Sequence, residues 1–179
     1  MITNFQKRKL ITLFNHHDLN GDGVLQAHDF DGMTKKLVSL KGYEPGSEPY
    51  EALKNGFAKF WEGLAQADAD GDGSVSYEEW WAWWDQMLAN NLYNQIAKPI
   101  GEMIFALCGS NADGLVTKEN FLRYYNQVSG SDKYSEEVYQ HLTSNEKETI
   151  TEAKMNDLLY EYFTSNDADA PGNWMFGKF

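Results

Sequence analysis

Apolar side chains recur at helical spacing around four polar segments of twelve residues, which begin at positions 18, 68, 109 and 143. In each unit one apolar residue precedes the segment by four positions and another lies at its eighth position. Three more follow it at intervals of three and four residues, which lines one face of a helix. The pattern predicts four helix–loop–helix units. The residues in this register are Phe14, Leu25, Phe30, Met33 and Leu37; Leu64, Val75, Trp80, Trp83 and Met87; Phe105, Val116, Phe121, Tyr124 and Val128; and Tyr139, Ile150, Met155, Leu158 and Tyr162.

An all-α fold follows from these repeats, with short β-bridges formed by the eighth positions of paired loops. Each unit alone would expose its apolar face, so we expect two packed pairs, residues 1–90 and residues 91–179. The connection between the pairs, residues 90–101, contains Pro99 but no long polar tether. We therefore expect the two pairs to pack against each other.

The second polar segment, Asp68–Glu79, has the ligand spacing of an EF-hand calcium loop. Oxygen-bearing side chains occupy positions 1, 3, 5 and 9, with glycine at position 6 and glutamate at position 12. Ca²⁺ takes about six to eight oxygen ligands, and a glutamate at position 12 is long enough to chelate with both of its oxygens. The predicted ligands are the side chains of Asp68, Asp70, Asp72, Ser76 and Glu79 and the backbone carbonyl of Ser74.

The first polar segment, Asp18–Asp29, repeats this design but ends in aspartate. Aspartate is one methylene shorter than glutamate, so bidentate chelation is harder and the six-fold coordination of Mg²⁺ is favoured. We expect weaker Ca²⁺ binding and more Mg²⁺ competition here than at the second segment. His28, at position 11, is expected to face solvent without ligating the ion. The predicted ligands are the side chains of Asp18, Asn20, Asp22, Gln26 and Asp29 and the backbone carbonyl of Val24.

The other two loops have lost most of their ligands. The third, Gly109–Asn120, has glycine at position 1 and asparagine at position 12, which leaves Asp113 as its one carboxylate at a ligand position. Because calcium affinity follows ligand charge, we predict that this site is lost, with weak residual binding left open. The fourth loop has Lys147, Glu148 and Lys154 at positions 5, 6 and 12. It is predicted to be purely structural, so the whole chain is expected to bind two Ca²⁺.

The chain of 179 residues carries a net charge of −12. It has no basic stripe to meet phosphates, so no nucleic-acid partner is expected. No run of eighteen apolar residues is present, which predicts that nothing spans a membrane. The N-terminal residues lack the apolar region of a signal peptide, and the single Cys108 suits a reducing compartment. These features predict a cytoplasmic monomer.

Aromatic residues form two further clusters. Trp80, Trp83 and Trp84 share one face of the helix that leaves the second loop, which indicates an aromatic core or, as the alternative, a cavity for an aromatic ligand. The C-terminal residues 173–179 contain a second cluster that water would not solvate favourably. We predict that this tail plugs an apolar cleft between the halves. Its apolar members are Trp174, Met175, Phe176 and Phe179.

Several stretches resemble the invertebrate sarcoplasmic calcium-binding proteins and their relative calexcitin. They are residues 4–9, the run at 60–64 before the second loop, the tryptophan-rich helix after it, and the tail at 160–167, 172–173 and 176–177. The resemblance covers essentially the whole chain. It implies a compact cytosolic protein of four hands, with a degenerate fourth hand, that buffers Ca²⁺ and Mg²⁺. The family commonly keeps a working third site, from which this chain departs at Gly109 and Asn120.

Three functions are compatible with these features. The favoured one is a Ca²⁺/Mg²⁺ buffer. The first alternative is a calexcitin-like sensor that opens on binding calcium and captures a protein target, although its six methionines are too scattered to form a sensor groove. The second alternative is a relative that binds a luciferin-type small molecule. The sequence shows no Ser/His/Asp or Cys/His set with usable spacing, so no enzyme is predicted.

Overall fold

The computed structural model describes residues 1–146 and 149–179, and at 93, 94, 96 and 97 it describes the backbone alone. Lys147 and Glu148 of the fourth loop lie outside the described residues. Within the described part, no helix is long and apolar enough to cross a membrane. The eight helices of this part are α1 (Asn4–His17), α2 (Ala27–Lys41), α3 (Glu48–Leu64), α4 (Tyr77–Ala89), α5 (Tyr93–Cys108), α6 (Lys118–Ser129), α7 (Ser135–Leu142) and α8 (Glu152–Thr164). One short 3₁₀ turn follows α3 at Ala65–Ala67, and another leads into the C-terminal tail at Pro171–Trp174.

Position 9 of three loops also starts the helix that follows. Ser76, Thr117 and Thr151 are the N-caps of α4, α6 and α8, and each hydroxyl accepts a hydrogen bond from a backbone N–H of the first turn. Such caps satisfy a donor that the helix cannot pair internally. The caps of α6 and α8 therefore keep a structural role in loops that are predicted to have lost calcium.

The loops pair as the register predicts. Leu25 and Val75 form an antiparallel bridge with two N–H···O bonds of 2.9 Å, which joins the first loop to the second. Val116 and Ile150 form the equivalent bridge between the third and fourth loops. All four residues are buried. These bridges and the helices confirm the all-α fold of paired helix–loop–helix units.

The tryptophans of α4 belong to the core, which confirms the structural interpretation of this cluster. Trp80, Trp83 and Trp84 are buried. The Trp80 indole N–H donates to the Leu10 carbonyl on α1 (3.0 Å), and the Trp84 ring stacks on Phe163 of α8 with 4.4 Å between ring centroids. The aromatic face of the second hand is thereby packed against the first and fourth hands.

The C-terminal tail lies between α1 and the helices of the fourth hand. Its Trp174 ring stacks on the His141 ring of α7, with 3.8 Å between ring centroids. The Phe176 ring packs edge-on against the Tyr162 ring of α8, with 4.8 Å between centroids. On the other side, the tail meets α1 where His16 Nε2 donates to the Phe176 carbonyl oxygen (2.6 Å). The tail therefore fills the junction between the two halves, as the sequence predicts.

Candidate metal centre

The second loop brings three of its predicted ligands together. One carboxylate oxygen from each of Asp68, Asp70 and Glu79 lies within 4.8 Å of the other two. Oxygens bound to one Ca²⁺ at about 2.3–2.6 Å can lie at most about 5 Å apart, so these three carboxylates fit around a common ion. Among the residues that the structure describes, no other group of three acidic, histidine or cysteine side chains is this close.

Glu79 is held in place by both ends of its loop. Its Oε1 accepts the Ala69 N–H (2.8 Å), while Oε2 accepts the N–H (2.9 Å) and hydroxyl (2.8 Å) of Ser76. The hydrogen bond from the Ser76 backbone, followed by that from Ala69, lowers the pKa of the Glu79 carboxyl. The predicted ligand at position 12 is therefore ionised at neutral pH and held in place by hydrogen bonds within its own loop.

The remaining ligands of the second loop are oriented by its own backbone. Asp68 accepts the N–H groups of Gly71 (2.7 Å) and Gly73 (2.9 Å) through different oxygens. Asp72 accepts both the N–H and the hydroxyl of Ser74, at 2.8 and 2.7 Å. Gly73 adopts φ +85°, where a Cβ would be strained, which explains why position 6 is glycine.

The first loop reproduces part of this arrangement. Asp18 accepts the N–H groups of Gly21 and Gly23, both at 2.9 Å, as Asp68 does in the second loop. Asp29 accepts the N–H of Leu19 (3.2 Å) and of Gln26 (2.9 Å), the same loop positions that Glu79 engages. Position 12 therefore has the same backbone partners in both loops although its side chain is shorter in the first.

The first loop differs in how its middle ligands are arranged. The Asn20 side-chain amide donates to Asp22 Oδ2 (2.8 Å), and this bond is the main reason that the pKa of Asp22 is lowered. Asp22 Oδ1 accepts the Val24 N–H (3.1 Å). Within the described residues, the carboxylates of this loop do not reach the close grouping seen around Glu79. The Asn20–Asp22 bond links the predicted ligands at positions 3 and 5 through an amide N–H that is not itself a calcium ligand.

His28 has a role that its sequence position did not indicate. Its side chain is half exposed, as expected, but its Nε2 lies 3.1 Å from Asn20 Nδ2 and 3.6 Å from Asp29 Oδ1. The ring therefore touches the residues at ligand positions 3 and 12. The missed signal is geometric: position 11 lies in the first turn of α2, next to the loop residues that it contacts.

The third loop is closed by side chains of the protein. Asn120 Nδ2, at position 12, donates to the Gly109 carbonyl at position 1 (2.9 Å). Asn111 Oδ1 accepts two backbone N–H groups of the loop, both at 3.0 Å. The ammonium of Lys41, from α2, donates to the Leu107 carbonyl (3.1 Å) near the end of α5. A fixed cation thus lies beside the position where this loop lacks a carboxylate.

The fourth loop begins with a buried hydroxyl in place of a carboxylate. Thr143 Oγ1 donates to the Tyr139 carbonyl (2.7 Å) and accepts the Glu146 N–H (3.1 Å). The carboxylate of Glu146 pairs with the ammonium of Lys118, which lies outside this loop on α6, with 2.7 Å between Oε1 and Nζ. In the described part of this loop, the Thr143 hydroxyl therefore bonds the protein's own backbone.

Comparisons with known proteins agree with this geometry. The sequence model of the EF-hand family matches residues 63–82, which include the whole of the second loop. The sarcoplasmic calcium-binding proteins I, III and IV of Branchiostoma lanceolatum are 26% identical to the chain, and the alignment covers 99% of it and 98% of theirs. Calerythrin of Saccharopolyspora erythraea is 23% identical over 81% of the chain and 84% of its own length.

Structural comparison leads to the same group. The solved structure of a sarcoplasmic calcium-binding protein from amphioxus is 26% identical to the chain, covers the whole of both proteins and superposes with a TM-score of 0.71. The paired loops, the carboxylate grouping around Glu79 and this full-length similarity agree with one another. The chain therefore carries an EF-hand and is similar to the sarcoplasmic calcium-binding proteins over its whole length and to calerythrin over most of it.

Proposed function

We propose that this protein is a cytoplasmic, monomeric calcium buffer that binds two Ca²⁺, one in each loop of the N-terminal pair. The observation that carries the proposal is the grouping of carboxylate oxygens of Asp68, Asp70 and Glu79 within 4.8 Å in the second loop. The Leu25–Val75 bridge joins this loop to the first loop, which has a similar design. The ligands of the second site are Asp68, Asp70, Asp72, Ser76, Glu79 and the carbonyl of Ser74. Those of the first are Asp18, Asn20, Asp22, Gln26, Asp29 and the carbonyl of Val24.

The two sites differ in strength in this proposal. Glu79 reaches its backbone partners at 2.8 and 2.9 Å and lies close to two other carboxylates. Asp29 engages the same loop positions but is one methylene shorter. The second loop therefore binds Ca²⁺ more tightly, and the first accepts Mg²⁺ more readily because that ion prefers six ligands at shorter distances.

A buffer role is supported by the contacts of the N-terminal pair. A sensor must release an apolar groove when calcium binds. Here the groove-forming helices are already packed: Trp84 of α4 stacks on Phe163 of α8. On α1, the buried ammonium of Lys9 donates to Asn173 Oδ1 in the tail (2.8 Å). Opening the pair would require breaking these contacts.

Calorimetric titration of Ca²⁺ tests the two sites. The wild type is expected to bind two ions, and Glu79→Gln is expected to abolish the tighter one. Glu78→Gln is the matched control, because Glu78 is the preceding residue and lies outside the predicted ligand set. Three or more ions, or an equal effect of the two variants, would contradict the proposed sites.

A second experiment separates buffer from sensor. The uncharged dye N-phenyl-1-naphthylamine becomes fluorescent on apolar surfaces, so its signal is compared between the Mg²⁺-loaded and the Ca²⁺-loaded protein. A buffer is expected to give the same signal in both states. A severalfold rise with Ca²⁺ would show that an apolar groove opens, and would replace the buffer proposal by the sensor.

A further inference from the structure

A cleft with a volume of about 550 Å³ lies where the first hand, α6 and the tail meet. Its size falls within the range of pockets that bind small molecules, roughly 300–1,000 Å³. One wall is fixed by the hydrogen bond between His16 and the Phe176 carbonyl (2.6 Å). A second contact in the lining joins Lys36 of α2 to the end of α6, where its ammonium donates to the Val128 carbonyl (2.7 Å). The cleft is therefore preformed.

The lining of this cleft combines apolar surface with positive charge. Leu19 and Tyr134 are 42% and 38% exposed, and both line the cleft together with the ring of Phe176. Large apolar side chains with this exposure are few in the described part of the protein. Their position at one cleft gives it an apolar surface that a ligand could cover.

Two ammonium groups and one carboxylate line the same cleft. The hydrogen bond to Val128 uses one of the three N–H groups of Lys36, and Lys178 lies 3.7 Å from the exposed Glu137. The carboxylate belongs to Asp18, whose oxygens are turned toward the backbone N–H groups of its own loop. The charge presented to the cleft is thus mainly positive, although the protein as a whole carries −12.

We propose that this cleft binds a small amphipathic anion. The apolar body of the ligand would lie against Leu19, Tyr134 and Phe176, and its carboxylate or sulfonate would accept a hydrogen bond from Lys36. An acidic protein repels free anions over most of its surface, so an apolar contact and a local cation are both needed for binding. The cleft borders the first calcium loop, which contributes Asp18 and Leu19 to its lining, but its ligand class does not depend on the proposed buffer function.

The test uses two dyes that share an aromatic body, in excess Ca²⁺. The sulfonate 8-anilinonaphthalene-1-sulfonate carries a negative charge and N-phenyl-1-naphthylamine does not. Lys36→Met is expected to weaken binding of the sulfonate about tenfold, as for loss of a charged hydrogen bond, and to change binding of the neutral dye less than twofold. Lys35→Met is the matched control because Lys35 is the neighbouring lysine, is exposed and lies outside the cleft.

A second variant guards against a loss of folding in Lys36→Met. Ser131→Glu places a carboxylate at the cleft on an exposed residue, so it should repel the sulfonate without disturbing the core. We expect it to weaken sulfonate binding at least threefold and to leave the neutral dye and the thermal midpoint unchanged. If Lys36→Met and Lys35→Met have equal effects, or Ser131→Glu has none, the proposed anion site is wrong.

Discussion

The buried ammonium of Lys9 is expected to stabilise the junction between the two halves. Lys9 lies on α1, is fully buried and donates to three oxygens of the C-terminal half. These are Asn173 Oδ1 (2.8 Å), the Ser165 carbonyl (2.9 Å) and the Glu161 carbonyl (3.3 Å). Lys9→Met keeps most of the unbranched side chain and removes the ammonium group that makes these three hydrogen bonds. The variant therefore tests how much this single group contributes.

The size of the effect can be worked from those contacts. The Glu161 carbonyl keeps a donor in Lys9→Met, because it also accepts the Ser165 N–H (2.9 Å). The Ser165 carbonyl and Asn173 Oδ1 each lose the Lys9 donor, at about 1–3 kcal/mol per buried acceptor left unpaired. Part of this loss of stability is offset in the methionine variant, because folding no longer has to bury a charge. We expect the free energy of unfolding at pH 7 to fall by about 2 kcal/mol.

The pH dependence gives an independent check. Burial lowers the pKa of Lys9 from 10.5 to about 8 in the folded protein, against the opposing effect of the Glu161 carboxylate. Between about pH 8 and 10.5 the unfolded chain therefore binds more protons at Lys9 than the folded one does. The Lys9 contribution to the free energy of unfolding consequently rises with pH in this window and is constant below it.

Urea unfolding followed by tryptophan fluorescence measures both effects. The destabilisation by Lys9→Met should be larger at pH 9.5 than at pH 7, whereas Lys54→Met, on an exposed residue of α3, should have little effect at either pH. If Lys9→Met causes no loss of stability at pH 7, the proposed contribution of Lys9 to the junction is wrong. A destabilisation that shrinks as the pH rises would contradict the lowered pKa.

Two further changes test other parts of the molecule. Asp29→Glu is expected to raise the Ca²⁺ affinity of the first loop about tenfold and to weaken Mg²⁺ competition, because the longer side chain can chelate with both oxygens; calorimetric titration that shows neither change would refute the position-12 argument. Gly172→Ala would put a Cβ 2.2 Å from the Leu158 carbonyl oxygen, so it should displace the tail and lower the thermal midpoint by several degrees. Limited proteolysis should then cut the tail faster than in the wild type, and equal rates would show that the tail tolerates the added methyl group.

The repeat register made most of the fold predictable from the sequence. Because each hand places the same offsets toward the core, Leu25 could be paired with Val75, and Val116 with Ile150, from their loop positions alone. The aromatic core of α4 followed from the spacing of its tryptophans. These predictions succeeded because helical periodicity and the geometry of the loop are local properties of the chain.

The contacts that join the halves could not be predicted in the same way. No feature of the sequence distinguishes Lys9 from an ordinary exposed lysine on a polar stretch of α1, and its burial depends on oxygens that lie more than 150 residues away. The sequence likewise gives no sign that Lys41 of α2 reaches the end of α5 beside the third loop. Both lysines act through acceptors supplied by tertiary packing, which no local pattern encodes.

The degenerate loops bear on how calcium can act in the rest of the molecule. In the third loop the Asn120 amide links position 12 to the Gly109 carbonyl, and in the fourth the Thr143 hydroxyl holds the backbone. None of these bonds needs an ion, so the C-terminal pair is expected to keep its geometry at any calcium concentration. That pair supplies α8, which holds α1 through Lys9 and α4 through Phe163. A fixed surface of this kind restrains the N-terminal hands, which contain the two proposed calcium loops. This restraint is what a buffer requires, and it opposes the opening on which a sensor depends.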